Sequence, residues 1–310
     1  MRNKKALVLL NMGGARSKDE LEVFLQNMFN DKYILNINNE TIRAMIAYLI
    51  VTFRLNNAWE NYEQIGGSSP LHDLTDKIIL KLSSKFPDLF ITSAMRYTSV
   101  FSQTAIARIK DKNIKDVILL PLYPQYSTTT TQSSIEDFIE KSNKEFNITT
   151  IEPFYKNEFY NKAICDEIIK VKSNYKDFHI IFSAHGLPQK IVDKGDPYQK
   201  QIEEHVEILK ETLGHYATDI KSINLAYQSK VGPMKWLTPS LDDMLINFKD
   251  KKVIIYPISF IVDNSETVFE LDIEYRELAD KLGVKEYKVC RCVNDSDIFI
   301  NAIEELIDGK

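Results

Sequence analysis

The chain has 310 residues, 44% of them hydrophobic and 27% charged, with a formal net charge of −5. That length exceeds what one hydrophobic core usually serves, so two domains of about 150 residues are expected. The acidic balance excludes a general nucleic-acid binder, and three cysteines, Cys165, Cys290 and Cys292, are too few for a disulfide framework or a four-thiolate cluster, which fits a reducing cytoplasm.

Along the chain, residues 1–10 (MRNKKALVLL) look briefly like a secretory leader. The apolar run ends at Asn11, short of the roughly 7–15 apolar residues such a leader needs, so 6–11 reads as a first strand. Strands are then predicted over 90–95, 116–122, 147–152, 179–184, 222–227, 252–257 and 286–290. Helices are predicted over 18–29, 41–57, 71–85, 135–144, 158–172, 198–213 and 266–282. Strand–helix alternation of this kind predicts parallel sheets with helices on both faces. No run approaches the roughly 18 apolar residues of a membrane span.

The sequence also echoes itself. Residues 117–124 (VILLPLYP) resemble 253–260 (VIIYPISF), and the strand ends at 94–99 and 226–230 correspond. The expected fold class is therefore α/β, with two similar Rossmann-like lobes, each a four-stranded parallel sheet flanked by helices. The lobes are placed at 1–153 and 154–310, the last helix free to pack on the first. A ligand between facing lobes would touch the strand ends of both.

Five stretches stand out. In 178–188 (FHIIFSAHGLP) a buried apolar strand stops at His185, followed by a glycine and a proline. An isolated histidine is more often a satisfied core residue, but a strand that delivers an imidazole to a Gly/Pro loop is where open α/β folds keep their chemistry. After the strand at 252–257, Asp263, Asn264 or Ser265 can cap a helix on which Glu266, Glu270 and Glu274 recur every four residues. Steps of four advance about 40° around a helix, so the three carboxylates form one stripe. The bland alternative is a helpful first-turn acid followed by a solvated face. An imidazole and a carboxylate that meet over a cleft can hold a divalent metal or exchange protons. Two protein ligands suit a metal held briefly and passed on.

Residues 225–236 (LAYQSKVGPMKW) offer Trp236 and Met234 beside a Gly-Pro loop, a flat apolar surface for a flat ligand. Residues 65–70 (IGGSSP) offer backbone N–H groups to an anion, although Ser69 before Pro70 is also a plain helix cap. Residues 11–14 (NMGG) lack the spacing of a dinucleotide fingerprint.

Together these motifs resemble the ferrochelatases, which insert ferrous iron into a porphyrin to make haem. The matches are 11–14, 62–70, 120–129, 183–188 with 195–198, 228–236 and 257–275, in family order and across nearly the whole chain. The resemblance implies that His185 and Glu266 are the active-site pair, iron ligands and acid/base groups for the pyrrole protons. It implies that Met12, Leu187, Pro188, Val231, Trp236 and Phe260 line the porphyrin slot. Arg54 and Ser69 would meet the propionates, Arg96 and Tyr97 would form a polar edge, and Glu270 and Glu274 would continue an acidic route for metal or protons.

Two departures bear on this. Asn264 stands where many members have histidine, which puts a proton shuttle at that position in doubt. Thr128 stands where some members have a cluster-binding cysteine, so no iron–sulfur cluster is expected.

The implied partners are protoporphyrin IX and Fe²⁺ as substrates, with no tightly bound cofactor and no nucleic acid. Residues 44–53 match the family's lip over the slot, whose apolar face touches lipid or only the substrate. A monomer in the cytoplasm, peripheral at the inner membrane face, is expected. The competing readings are a chelatase for coproporphyrin or another tetrapyrrole or metal, and a non-catalytic haem- or metal-binding protein. Turnover beyond one equivalent separates catalyst from binder.

Overall fold

The computed structural model describes residues 5–172, 176–216, 219–230 and 232–310. It divides into two compact units. One comprises Met1–Tyr123, Ser127–Glu152 and Leu306–Lys310; the other comprises Pro124–Tyr126 and Pro153–Glu305.

The first unit is built on β1 (Lys5–Asn11), β2 (Leu89–Met95), β3 (Asp116–Pro121) and β4 (Asn147–Thr150). All pairings are parallel, in the order β2-β1-β3-β4. Ala6 to Leu10 on β1 are buried on both faces, which is why this strand reads as an unbroken apolar run rather than an alternating one. Around the sheet lie α1 (Lys18–Phe29), α2 (Glu40–Gln64), α3 (Leu71–Lys85), α4 (Ser102–Asp111) and α5 (Ser133–Lys141). Ser17 caps α1 by accepting from the Glu20 N–H, and Asn39 caps α2 at Ile42. The second helix runs seven residues beyond the predicted end because Ala58, Trp59 and Tyr62 continue its apolar face against Leu21 and Leu25 of α1.

The second unit repeats this plan. Its strands are β5 (Phe178–His185), β6 (Ser222–Gln228), β7 (Lys252–Pro257) and β8 (Glu286–Val289), again all parallel, in the order β6-β5-β7-β8. Its helices are α6 (Glu158–Lys172), α7 (Gln189–Asp193), α8 (Tyr198–Tyr216), α9 (Leu241–Leu245), α10 (Tyr275–Lys281) and α11 (Asp297–Ile307). The single helix predicted over 266–282 is in fact two segments: a π-helix over Glu266–Glu274 that continues as α10. Apolar spacing alone does not separate i→i+5 from i→i+4 winding.

The two-lobed α/β architecture expected from strand–helix alternation is thus observed. In each sheet the strand order reverses beside the first strand of the lobe: between β1 and β3, and between β5 and β7. Open α/β sheets bind ligands outside the carboxyl ends of the strands at such switch points.

Candidate active site

His185 is the last residue of β5, at the switch point of the second sheet. Its ring Nδ1 lies 2.9 Å from Glu266 Oε2, and each side chain is a little over one-third exposed, at 37% and 36%. Glu266 opens the π-helix that follows β7. The two residues meet because the adjacent strands β5 and β7 end side by side, with His185 closing β5 and Glu266 opening the π-helix after β7. A carboxylate only accepts, so Nδ1 carries the hydrogen and Nε2 keeps a free lone pair when the ring is neutral. Burial alone would push the imidazole down. The charge of Glu266 and its hydrogen bond outweigh that, with a further push from Glu270, and His185 is held above its usual 6.5.

The backbone of His185 is gripped as well. Its N–H donates to Ser259 Oγ at 2.8 Å, and its carbonyl accepts from Tyr198 Oη at 2.9 Å. Gly186 donates to the Gln228 carbonyl at 2.9 Å, and a Cβ at position 186 would sit 2.7 Å from that same oxygen. Only glycine allows the loop to pass so close.

The acidic stripe continues through Glu270 to Glu274. Glu270 Oε2 accepts from Ser229 Oγ at 2.7 Å and from Gln228 Nε2 at 3.4 Å, and Gln228 Oε1 in turn accepts from the buried Ser183 at 2.7 Å. Burial, then the charge of Glu266, raises Glu270 to about 7 against the opposing Ser229 bond and His185. Glu274 is exposed and raised by partial burial and by Asp242 and Glu277. Asn264, where a proton shuttle was in doubt, caps the segment: its Oδ1 accepts from the Glu266 N–H at 2.8 Å. Asp263 is turned away, onto Asn294 and the Cys292 N–H. Among the described residues no three His, Cys, Asp or Glu side chains gather to hold a metal.

Apolar groups flank the pair. The Phe260 ring meets His185 edge-on, with centroids 6.3 Å apart. Pro188 and Trp236 form an antiparallel bridge, with Leu237 N–H on the Leu187 carbonyl and Gln189 N–H on the Lys235 carbonyl. That pairing sets the Trp236 ring 3.4 Å from where a Cβ on Gly186 would stand. Leu187 is itself buried. Val231 lies outside the described residues.

In the first unit, Met12 follows β1 at the equivalent strand end, with its carbonyl accepting from Tyr97 N–H at 2.9 Å. Gly13 has φ +95, and a Cβ there would stand 2.2 Å from Thr98 Oγ1, so the turn after Met12 requires glycine. Ser69 is buried against Gly14 and donates its N–H to the Ala15 carbonyl. Arg54 is exposed on α2, its guanidinium 5.9 Å from the Phe29 ring centroid. Arg96 bridges two carboxylates, Asp31 at 2.9 Å and Asp137 at 3.1 Å, and donates to Ser133 Oγ. Tyr97, expected at a polar edge, is wholly buried with its hydroxyl on Asp31 at 2.9 Å. It shapes the setting of Arg96 rather than presenting a polar group of its own, because the buried Asp31 needs that donor.

Sequence reasoning did not single out Tyr198, Ser259, Ser229 or Gln228 for these contacts. The only signal was their place inside the motifs at 195–198, 257–275 and 228–236.

The ferrochelatase family model matches residues 4–310, nearly the whole chain. The chain belongs to the ferrochelatase family. A ferrochelatase of a Nitratiruptor species is 48% identical over 307 residues, covering 97% of this chain and 98% of that one. The ferrochelatase of Sulfurimonas denitrificans is 48% identical over 309 residues, covering 98% of each chain. That of Helicobacter pylori (strain J99) is 44% identical over 310 residues, covering 98% of this chain and 92% of its own. Among solved structures, SirB from Bacillus subtilis with Fe³⁺ superposes with a TM-score of 0.59 at 10% identity, covering 98% of this chain and 96% of its own. That likeness shows that the ferrochelatase-family chain shares the two-lobed chelatase fold.

Proposed function

We propose that the protein inserts Fe²⁺ into protoporphyrin IX, releasing two protons and forming protohaem. One observation carries the reading: the His185–Glu266 pair at 2.9 Å, at the switch point of the second sheet, in a chain matched end to end by the ferrochelatase family.

The neutral macrocycle carries two pyrrole N–H protons, and both leave as the dication enters, so the product is neutral. His185 Nε2, with its lone pair free, accepts a pyrrole proton or holds the iron in transit. When the ring becomes imidazolium, Glu266 stabilises the new charge through Nδ1–H. Glu270, raised to about 7, takes up and gives back a proton near neutral pH and carries it away from the pair, towards Glu274.

In the second unit, porphyrin contacts are assigned to Leu187, Pro188, Val231, Trp236 and Phe260; the first unit, taken by itself, offers Met12 at its strand end, Arg54 and Ser69 for propionates, and Arg96 at its polar edge. Pressing the macrocycle out of planarity against such apolar groups would turn nitrogen lone pairs out of the ring plane, a ground-state distortion. Iron is a substrate here, and we assign no resident cofactor and no iron–sulfur cluster. The three cysteines are buried and unreactive in setting, their thiols all pushed up by burial.

No helix among the described residues is long and apolar enough to cross a membrane. The outer face of α2 is nevertheless apolar, with Met45, Tyr48, Leu49 and Phe53 exposed, Phe53 to 80%. This face supports peripheral membrane contact through 44–53. The test of function is anaerobic incubation of purified protein with Fe²⁺ and protoporphyrin IX. Turnover well beyond one equivalent is expected; stoichiometric uptake without turnover would mean a binder.

A further inference from the structure

We infer that Tyr198 and Ser259 are positioning residues that hold the His185 peptide in a closed ring of hydrogen bonds. The parallel pairing of β5 with β7 ends at Ser183 opposite Pro257. Beyond it the chain after β7 turns away, with Phe260 N–H folding back onto the Pro257 carbonyl. The N–H and C=O that His185 presents on that side therefore have no ladder partners. Two side chains replace them. Ser259 Oγ accepts the His185 N–H at 2.8 Å, and Tyr198 Oη donates to the His185 carbonyl at 2.9 Å. The hydroxyls themselves are 2.8 Å apart.

The direction of every bond in this ring is fixed. The backbone N–H can only donate and the carbonyl can only accept. The one hydroxyl proton of Tyr198 goes to that carbonyl, so the Ser259 proton goes to Tyr198 Oη. Each member satisfies the next, and opening one bond frees the others. Tyr198 is delivered by the turn at 195–198, where its N–H donates to Asp196 Oδ1 at 3.0 Å, and its side chain is buried. On the opposite side β6 holds the same stretch through Gly186 and Gln228. The peptide that aims the imidazole is thus gripped from both neighbours, while Glu266 fixes the ring. Neither Tyr198 nor Ser259 touches the reacting atoms; both act through His185.

This inference rests on the catalytic reading of His185, and the test separates the two. Steady-state Fe²⁺ insertion is measured for the wild type, Tyr198→Phe, Ser259→Ala, the double variant, Ser259→Thr and His185→Ala, with unfolding midpoints for each. Because small misplacements of a reacting group cost up to about 100-fold, kcat should fall about tenfold or more in Tyr198→Phe and in Ser259→Ala. KM for protoporphyrin IX should stay within about twofold, since no substrate contact is removed. The double variant should be no slower than the worse single variant, because one ring is broken once. Ser259→Thr, which keeps the hydroxyl, should recover kcat.

Wild-type kcat in Tyr198→Phe and Ser259→Ala alongside an inactive His185→Ala would overturn the positioning role. So would losses that multiply in the double variant. If Tyr198→Phe fails to fold, the contrast between Ser259→Ala and Ser259→Thr decides alone. Full turnover by His185→Ala would remove the catalytic reading, and this inference with it.

Discussion

His185 Nδ1 and Glu266 Oε2 face each other across 2.9 Å, and that contact settles which ring nitrogen is free for chemistry. The carboxylate also outweighs burial in setting the imidazole's proton affinity. In Glu266→Gln, burial is opposed only by the weaker push of Glu270, so His185 should titrate lower than in the wild type. Ring-proton NMR of the apoprotein measures this. An unchanged His185 titration would show that the pair does not set it. Activity in the same variant should fall by about 100-fold or more, the usual scale of a lost acid–base partner.

The acid limb of the pH–rate profile follows from the same contact. Proton acceptance requires the neutral ring, and His185 lies above 6.5. The rate should therefore fall as pH drops through a value above 6.5, higher than expected for an unperturbed histidine. The kcat/KM profile of the free enzyme reads this directly, and an acid limb centred below the ordinary histidine value would contradict it.

Glu270 makes stability pH-dependent. Its folded pKa is about 7 against an ordinary 4.5, so the folded state binds more protons than the unfolded state between those values. Stability is then lost as pH rises from about 4.5 to about 7. Glu270→Gln removes that slope, and its unfolding midpoint relative to wild type should rise steadily over that range. A constant difference would show that Glu270 titrates normally.

Arg96 neutralises two buried carboxylates at once. Asp31, with its side chain only 1% exposed, pairs with Arg96 at 2.9 Å, while Asp137, 7% exposed, also keeps Lys141 at 2.7 Å, so the charge stranded by losing Arg96 is that of Asp31, at a cost of about 3–5 kcal/mol. Arg96→Leu should lower the urea midpoint accordingly, and Asp31→Asn in that background should recover part of the loss. A wild-type midpoint in Arg96→Leu would rule out this structural role.

The face of α2 invites a lipid test. Met45 and Phe53 are 58% and 80% exposed, and burying such side chains in an interface is worth roughly 1.5–3 kcal/mol each. A Met45→Glu, Phe53→Glu variant should float with anionic liposomes far less than the wild type. Equal flotation would remove membrane contact through this face.

Strands were legible in the sequence because parallel strands buried on both faces, such as Ala6 to Leu10 and Val253 to Tyr256, are continuous apolar runs. The end of α2 was not, because the polar residues after Asn57 mask the spacing of Ala58, Trp59 and Tyr62. The ten-residue α4, which buries Ala105, Ile106 and Ile109 on one face, is too short for that spacing to stand out. The π winding of Glu266–Glu274 leaves no mark that apolar spacing can carry. His185 and Glu266 were legible because one closes a strand and the other opens the helical segment after the neighbouring strand. Their helpers were not, because a hydroxyl reaching a backbone group 74 residues away, as Ser259 does, has no local signature.

The pair of His185 with Glu266 is tested most directly by single-turnover and steady-state Fe²⁺ insertion into protoporphyrin IX, comparing the wild type with His185→Ala at matched folding. The wild type should turn over many equivalents, and His185→Ala should lose at least about 100-fold in kcat while still binding the porphyrin. Wild-type turnover by His185→Ala would contradict the role assigned to the pair.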